Sequence, residues 1–275
     1  MNVPHDHPKN RLLDVLPKEE YERLFPYLEL ILVPTGEALY ESGDSLRYIY
    51  FPTTCVVSLH YGMENGGTSE IAIIGNEGLI GIALFMGGGS MPNRAIVQST
   101  GYTYRIRKFH FMQEFNQHGN LLRLMLRYTQ ALITQMAQTA VCNRYHCIDQ
   151  QLCRWLLLNI DRHSSNTIAM THELIALNLG VRREGITEAA GKLQKAGLID
   201  YHRGHITVLD RPGVEMRSCE CYQVVKTEYE RLLPWTTIRE TPASPIPEVA
   251  HPVRGIKAVS SRRSDGDLIV MPAAI

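Results

Sequence analysis

Arg182, Arg183, Glu184, Thr187, Glu188 and Lys192 are spaced to lie along one exposed side of a helix. Their chemistry suits a DNA major groove. A guanidinium donates two hydrogen bonds to a guanine edge, and a glutamate accepts one from a cytosine amino group. Any solvated helix can carry the same charges, so the flanking sequence has to decide between the two readings.

Upstream, Ile175-Ala176-Leu177-Asn178-Leu179-Gly180-Val181 sets a small alanine and a glycine inside an apolar helical pattern. Ala176 leaves room for a second helix to cross closely. Gly180 can take the positive φ that ends a helix. Ile186, Ala190 and Leu193 continue the apolar stripe at helical spacing. The pattern predicts helix, short turn, helix, with the second helix presenting the charged set. Downstream, Gly197 is placed to cap that helix. Tyr201, Ile206 and Val208 then flank a tight turn at Arg203-Gly204, which reads as a β-hairpin with Arg203 at its tip, facing a phosphate. A hairpin directly after a helix-turn-helix is a wing. Together these elements predict a winged helix that binds double-stranded DNA.

Charge and composition agree with a binder whose contact face is local. The 275 residues carry 28 basic and 28 acidic side chains, a formal net charge of zero. Between Arg144 and Arg211 nine Lys/Arg face seven Asp/Glu, a slight basic excess. No apolar run reaches the roughly 18 residues that span a bilayer, and MNVPHDHPKNR lacks an apolar signal core. The expectation is a cytoplasmic protein with no membrane contact.

The sequence offers no enzyme site: no nucleophile–base set, no paired carboxylates and no metal-ligand spacing. Of six cysteines, Cys142, Cys147 and Cys153 fall in helical sequence without zinc-type pairing. Cys219-Glu220-Cys221 has one intervening residue, too few for a usual zinc half-site. With Cys55, they read as buried or inert thiols. His5 and His7 form a short N-terminal pair, and no HExxH occurs. No metal and no cofactor is expected.

The elements that must position the helix-turn-helix follow from periodicity. Residues 11–32 predict a short helical entry opened by Pro17. Then come short β-rich runs, LELILV, YIYF, VVSLHY, EIAIIG, AIVQS and TYRIRKF, separated by turn residues that include Asn65-Gly66. Such runs predict a β-sandwich or roll. From residue 119 to 145 one helix of ~40 Å is expected. Leu122, Met125, Thr129, Leu132, Met136 and Thr139 form its stripe, widened by Leu121, Leu126, Ile133 and Ala140. That face is too wide for a lone surface helix. One side can pack on the roll and the other on a second copy of the chain. A helix over about 152–160 opens the DNA-binding domain, and 212–233 predicts one further helix. The prolines and SSRRSDGD after residue 233 predict a disordered tail, with Arg254, Lys257, Arg262 and Arg263 free for weak DNA contact.

In this order the elements resemble the Crp/Fnr family of bacterial transcription regulators over about residues 12–211. The resemblance implies an α+β chain. A jelly-roll-like, cyclic-nucleotide-binding-like sensor roll spans 12–118, a dimerisation helix 119–145 and a winged helix-turn-helix 146–211, followed by an extra helix over 212–233 and a tail over 234–275. It implies a homodimer that reads a roughly palindromic operator, with RNA polymerase as a further partner. Base reading would fall on Arg183 and Glu184, with Glu188 one turn on in place of a basic residue. Arg182 replaces the usual Ser or Thr cap.

In nucleotide-binding members a carboxylate follows a glycine to hold the ribose, and an Arg followed by Ser/Thr and Ala neutralises the phosphate. Here Gly81 is followed by Ile82, and Arg94 by Ala95 with no hydroxyl between. Losing one buried hydrogen-bonding partner costs ~1–3 kcal/mol, so the resemblance implies weak or absent cyclic AMP binding. No cysteine precedes Cys55, which argues against the iron–sulfur sensor of other members. His60, His110 and His118 are the histidines a haem could draw on, and they read more simply as surface or core residues. The alternative reading is a cyclic-nucleotide or haem sensor whose winged helix docks a protein.

Overall fold

The computed structural model describes residues 9–233, apart from Asn65 and Ser164. His5, His7, the Asn65 half of the expected turn and the tail with Arg254, Lys257, Arg262 and Arg263 lie outside the described residues. Two short helices, α1 (Arg11–Asp14) and α2 (Lys18–Leu24), open the chain, and a 3-10 turn at Phe25–Tyr27 leads into the roll. Buried Asn10 starts α1 by accepting from the Leu12 and Leu13 amides, while its own amide donates to Pro52 O and Gly78 O.

Seven strands form the roll: β1 (Glu29–Val33), β2 (Ala38–Tyr40), β3 (Tyr48–Pro52), β4 (Val56–Gly62), β5 (Thr68–Ile74), β6 (Arg94–Ser99) and β7 (Gly101–Arg107). They make two antiparallel sheets, ordered β1-β7-β3 and β2-β6-β4-β5. The short helix α3 (Ala83–Met86) sits between β5 and β6, and α4 (Lys108–Phe115) follows β7. All six strands expected from the sequence form. Three-residue β2 was not foreseen, because its Ala-Leu-Tyr run is too short for an alternation to show.

The long helix α5 runs Asn120–Tyr145. Buried Glu20 caps it from α2, accepting from the Asn120 and Leu121 amides at 2.9 and 2.8 Å. That carboxylate satisfies two orphan donors at the positive end of the helix. Leu121, Leu124, Met125, Tyr128, Ala131, Leu132 and Gln135 are buried. Tyr128 donates to Leu79 O at 2.9 Å and Gln135 to Ile73 O at 3.1 Å, so α5 is bonded to the roll backbone at the end of β5 and within the 75–80 loop.

The C-terminal part contains α6 (Ile148–Ile160), β8 (Thr167–Ala169), α7 (His172–Leu179), α8 (Arg183–Lys195), β9 (Ile199–His202) and β10 (His205–Val208). The last two pair with β8 in a sheet ordered β8-β10-β9. The expected single helix over 212–233 is two: α9 (Arg211–Arg217) and α10 (Glu220–Leu232), parted at Ser218–Cys219. Extended backbone at Ser218 and Cys219 makes the break.

Helix α10 lies along α5, with Gln130 donating to Glu228 at 3.3 Å. This corrects the division of the α5 face. Thr129 and Met136, on the stripe expected to meet a second copy in part, are buried and half-buried within the chain. Leu126, Ile133 and Val141 stay exposed, at 56%, 56% and 43%.

A buried polar network joins the four-stranded sheet to α6. Ser58 bridges Glu70 and Gln98 at 2.6 and 2.7 Å, Trp155 donates to Glu70 at 3.1 Å, and Gln98 donates to Asn159 at 2.6 Å. Burial pushes the Glu70 carboxyl from 4.5 up to about 7, against the opposing pull of Ser58, Arg154 and Trp155. A carboxyl raised in the folded state stabilises fully below its unfolded value and loses that contribution as pH rises through the folded one. Stability should therefore fall from pH 4.5 to above pH 7 by about 3 kcal/mol on account of this group. Glu70→Gln keeps the shape and hydrogen bonds and should flatten that part of the pH profile of thermal unfolding. An unchanged slope in the variant would show that Glu70 does not titrate there.

Candidate nucleic-acid interface

Helix α7 begins where the Thr171 hydroxyl accepts from the Leu174 amide and ends at Gly180, whose φ is +66°. The left-handed turn lets Val181 N bond back to Ala176 O at 3.0 Å, and α8 sets off in a new direction. Ile186, Ala189, Ala190 and Leu193 bury one side of α8, so Glu184, Glu188 and Lys195 lie farthest from the core. Arg182 occupies the N-cap without a side-chain cap bond, which leaves first-turn amides free at the positive helix end.

All six residues expected on this face are exposed, but they are not equivalent. Thr187 bonds Arg183 O at 3.1 Å and His172 Nδ1 at 3.2 Å. Lys192 is held between Glu188 at 3.0 Å and Asp149 at 3.3 Å. Arg182, Arg183 and Glu184 stand at the amino end of α8, where a helix entering the groove end-on would present them.

The wing turns on Arg203-Gly204, with φ of +47° and +81°. Two successive left-handed residues make a type I′ turn, the geometry that matches strand twist in a two-residue hairpin. Arg203 carries the strain of a side chain in that region and stands exposed at the tip. His172 is the residue the sequence did not single out. Its ring stacks on Tyr201 of β9 at 3.9 Å, while its Nδ1 meets Thr187 of α8. It therefore fixes the wing against the helix pair. Desolvation and nearby Arg183 lower its pKa. No sequence signal marks a contact between residues so far apart in the chain.

In the roll, Gly81 leads into α3 and Ile82 packs against the core. Arg94 bonds Glu41 at 2.9 Å, and Ala95 is fully buried. A carboxylate of the chain itself thus occupies the guanidinium. The three histidines considered for haem lie in three different settings. His60 is buried in β4, where burial lowers it to about 4; His110 stacks on Tyr27 at 3.9 Å; His118 is exposed. A cavity of about 200 Å³ lies instead where the roll, α6 and α10 meet, lined by Glu77, Asp161, Arg162, Lys226 and Tyr229 among others.

All six cysteines are free and all but Cys147 are buried, but three of them are gathered with a histidine. Cys142 and His146 at the end of α5 meet Cys219 and Cys221 at the start of α10, with all four potential ligand atoms within 4.8 Å of one another. The one-residue spacing of Cys219 and Cys221 argued against zinc, but the other half of the set lies more than 70 residues upstream.

Residues 30–118 match the cyclic nucleotide-binding domain, and residues 150–217 match the Crp-like helix-turn-helix domain; together they span more than half of the chain. The chain belongs to the Crp/Fnr family. Solved structures of similar fold include FixK2 from Bradyrhizobium japonicum, at 15% identity and a TM-score of 0.60, covering 70% of this chain and 98% of that one. The c-di-GMP-responsive regulator CLP of Xanthomonas campestris is similar at 14% identity and a TM-score of 0.57, covering 70% and 99%. A CRP-family transcriptional regulator of Thermus thermophilus is similar at 15% identity and a TM-score of 0.58, covering 68% and 96%. No curated protein sequence matches the chain. Among the described residues no helix is long and apolar enough to cross a membrane.

This Crp/Fnr chain therefore has a regulator fold with a helix-turn-helix DNA-binding domain, in a family generally without enzymatic activity. Its wing offers a clean test. Arg203→Gly relieves the left-handed strain, so the melting temperature should hold or rise. If Arg203 meets a phosphate, binding to specific and random DNA should weaken alike, and the salt slope should fall by about one. An unchanged salt slope would remove Arg203 from the interface.

Proposed function

We propose that this protein is a homodimeric, sequence-specific transcription regulator that binds a roughly palindromic operator and does so without a cyclic nucleotide. The observation that carries the reading is the ordered α7–Gly180–α8 unit with its type I′ wing, held in register by His172. Arg183 donates to a guanine and Glu184 accepts from a cytosine amino group, with Arg182 and Arg203 on phosphates. Glu188 and Lys192 form an ion pair beside them, and Thr187 supports His172 rather than a base. Arg94, paired with Glu41, and Ile82, packed inward, favour a roll that does not take up cyclic AMP. RNA polymerase would be the protein partner at a promoter, and the cytoplasm the setting.

Arg183→Ala should cost ~1–3 kcal/mol on the specific site and relax preference at one base pair per half-site. Selection from random duplexes, without added nucleotide, measures both. Equal loss on specific and random DNA would count against base reading.

The dimer seam in this reading is the exposed run Leu126, Ile133, Ala137, Ala140 and Val141 on α5, which lie seven, four, three and one residues apart on one side of the helix. Leu126→Glu with Ile133→Glu should give folded monomers in sedimentation and lose tight operator binding, because the charges would be buried unpaired in the dimer. A monomeric unaltered chain at micromolar concentration would sink the proposal.

A further inference from the structure

Cys142 and His146 are one helical turn apart at the carboxyl end of α5, and His146 is the residue on which that helix stops. Cys219 is the N-cap of α10, and Cys221 lies in its first turn. The two helix ends bring Cys142 Sγ to 3.5 Å from Cys219 Sγ, and Cys221 Sγ to 3.5 Å from His146 Nδ1. A tetrahedral zinc with bonds of ~2.3 Å to sulfur and ~2.05 Å to nitrogen requires edges of ~3.8 Å between sulfurs and ~3.6 Å between sulfur and nitrogen. The observed separations are close to both. The three sulfurs are buried and the imidazole is half-buried. Four donors gathered within 4.8 Å are close enough together to share one ion; a cluster would spread its ligands over separate metals.

The surroundings complete such a site. The other ring nitrogen of His146, Nε2, lies 3.4 Å from a Glu220 carboxylate oxygen. That is the carboxylate–histidine–metal arrangement that fixes the tautomer and strengthens the ligand. It also gives the Cys219-Glu220-Cys221 spacing a reason, since the middle residue serves the histidine. The α10 amino end supplies amides and positive potential to thiolates. Arg154 is buried, bonds Thr139 at 2.7 Å and has no carboxylate at ion-pair distance among the described residues. Three thiolates and a neutral imidazole around Zn²⁺ leave one negative charge, which this guanidinium offsets.

We propose that Cys142, His146, Cys219 and Cys221 bind Zn²⁺ and clamp α10 to the junction where α5 gives way to α6. On binding, each thiol gives its proton to solvent and its sulfur lone pair to the metal. Glu220 is a positioning residue. Gln151 adds rigidity by donating to the carbonyls of His146 and Cys142 at 2.8 and 3.4 Å.

The test uses the full chain, purified under reducing conditions, with metal analysis and Co²⁺ substitution. Expected are stoichiometric zinc, and with cobalt the intense absorption of a tetrahedral thiolate complex. Cys219→Ser and Cys221→Ser should each lose the metal, and Cys147→Ser, which changes the exposed neighbouring thiol, should keep it. Glu220→Gln should weaken zinc binding by about 10–100-fold. A chelator should strip the unaltered chain and slow-exchanging amides of α10 should become labile, with recovery on adding Zn²⁺, so the result does not hinge on any variant's folding. The proposal falls if the natively folded, reduced chain takes up neither zinc nor cobalt. It falls equally if the two serine variants retain the metal, or if the reduced preparation holds a Cys142–Cys219 disulfide instead. Every readout is made on free protein, so failure here is separate from failure of the DNA-binding reading.

Discussion

Arg162 is the charge around which the domains are assembled. It stands just past the end of α6 and is buried, with its Nε 2.7 Å from Glu77 of the roll. Its other nitrogens bond Gln135 of α5 at 2.9 Å and Leu158 O at 2.8 Å, and its guanidinium lies over the ring of Tyr229 in α10. One side chain therefore touches the roll, the long helix, the DNA-binding domain and the last helix. Removing either partner of a buried ion pair strands the other charge, at a cost of about 3–5 kcal/mol. Glu77 in turn accepts from the Gly75 amide, so the pair reaches the start of the 75–80 loop that follows β5.

Seen from that junction, the roll and the DNA-binding domain have few independent ways to move. Ser58, Glu70 and Gln98 hold α6 through Trp155 and Asn159, and Tyr128 ties α5 to Leu79. A signal arriving at the 75–80 loop would have to rearrange hydrogen bonds that are buried, and such bonds switch between discrete arrangements rather than stretch.

The parts legible in the sequence were those with a local cause. Gly180 needs a positive φ, Arg203-Gly204 needs a two-residue turn, and six strands run for five or more β-rich residues between turn residues. Three-residue β2 and β8 escaped because so short a run has no period to detect. The break between α9 and α10 escaped because a cysteine N-cap is not a recognised stop signal. On α5 the periodicity showed that the apolar face was wide, but not which neighbour would cover which part. Thr129 and Met136 went to the chain's own interior and Leu126 and Ile133 to the outside, and α10, which packs along the same helix, comes nearly a hundred residues later. The cysteine set escaped because its halves are separated in the chain by the whole winged helix.

The position of α10 also sets where this chain can be cut. The Crp-like helix-turn-helix match ends at residue 217, and a fragment stopped there would look complete by homology. It would lack Tyr222, which bonds Asp161 at 2.9 Å, and the Val225, Tyr229 and Leu232 side chains that α10 buries. The uncovered strip of α5 would present fresh apolar surface beside the run that is already exposed. Two adjoining greasy faces on one rod invite indiscriminate stacking. In this chain the last described helix is an integral wall of the molecule, and shortened versions for crystallography or reporter fusions are better ended beyond Leu233.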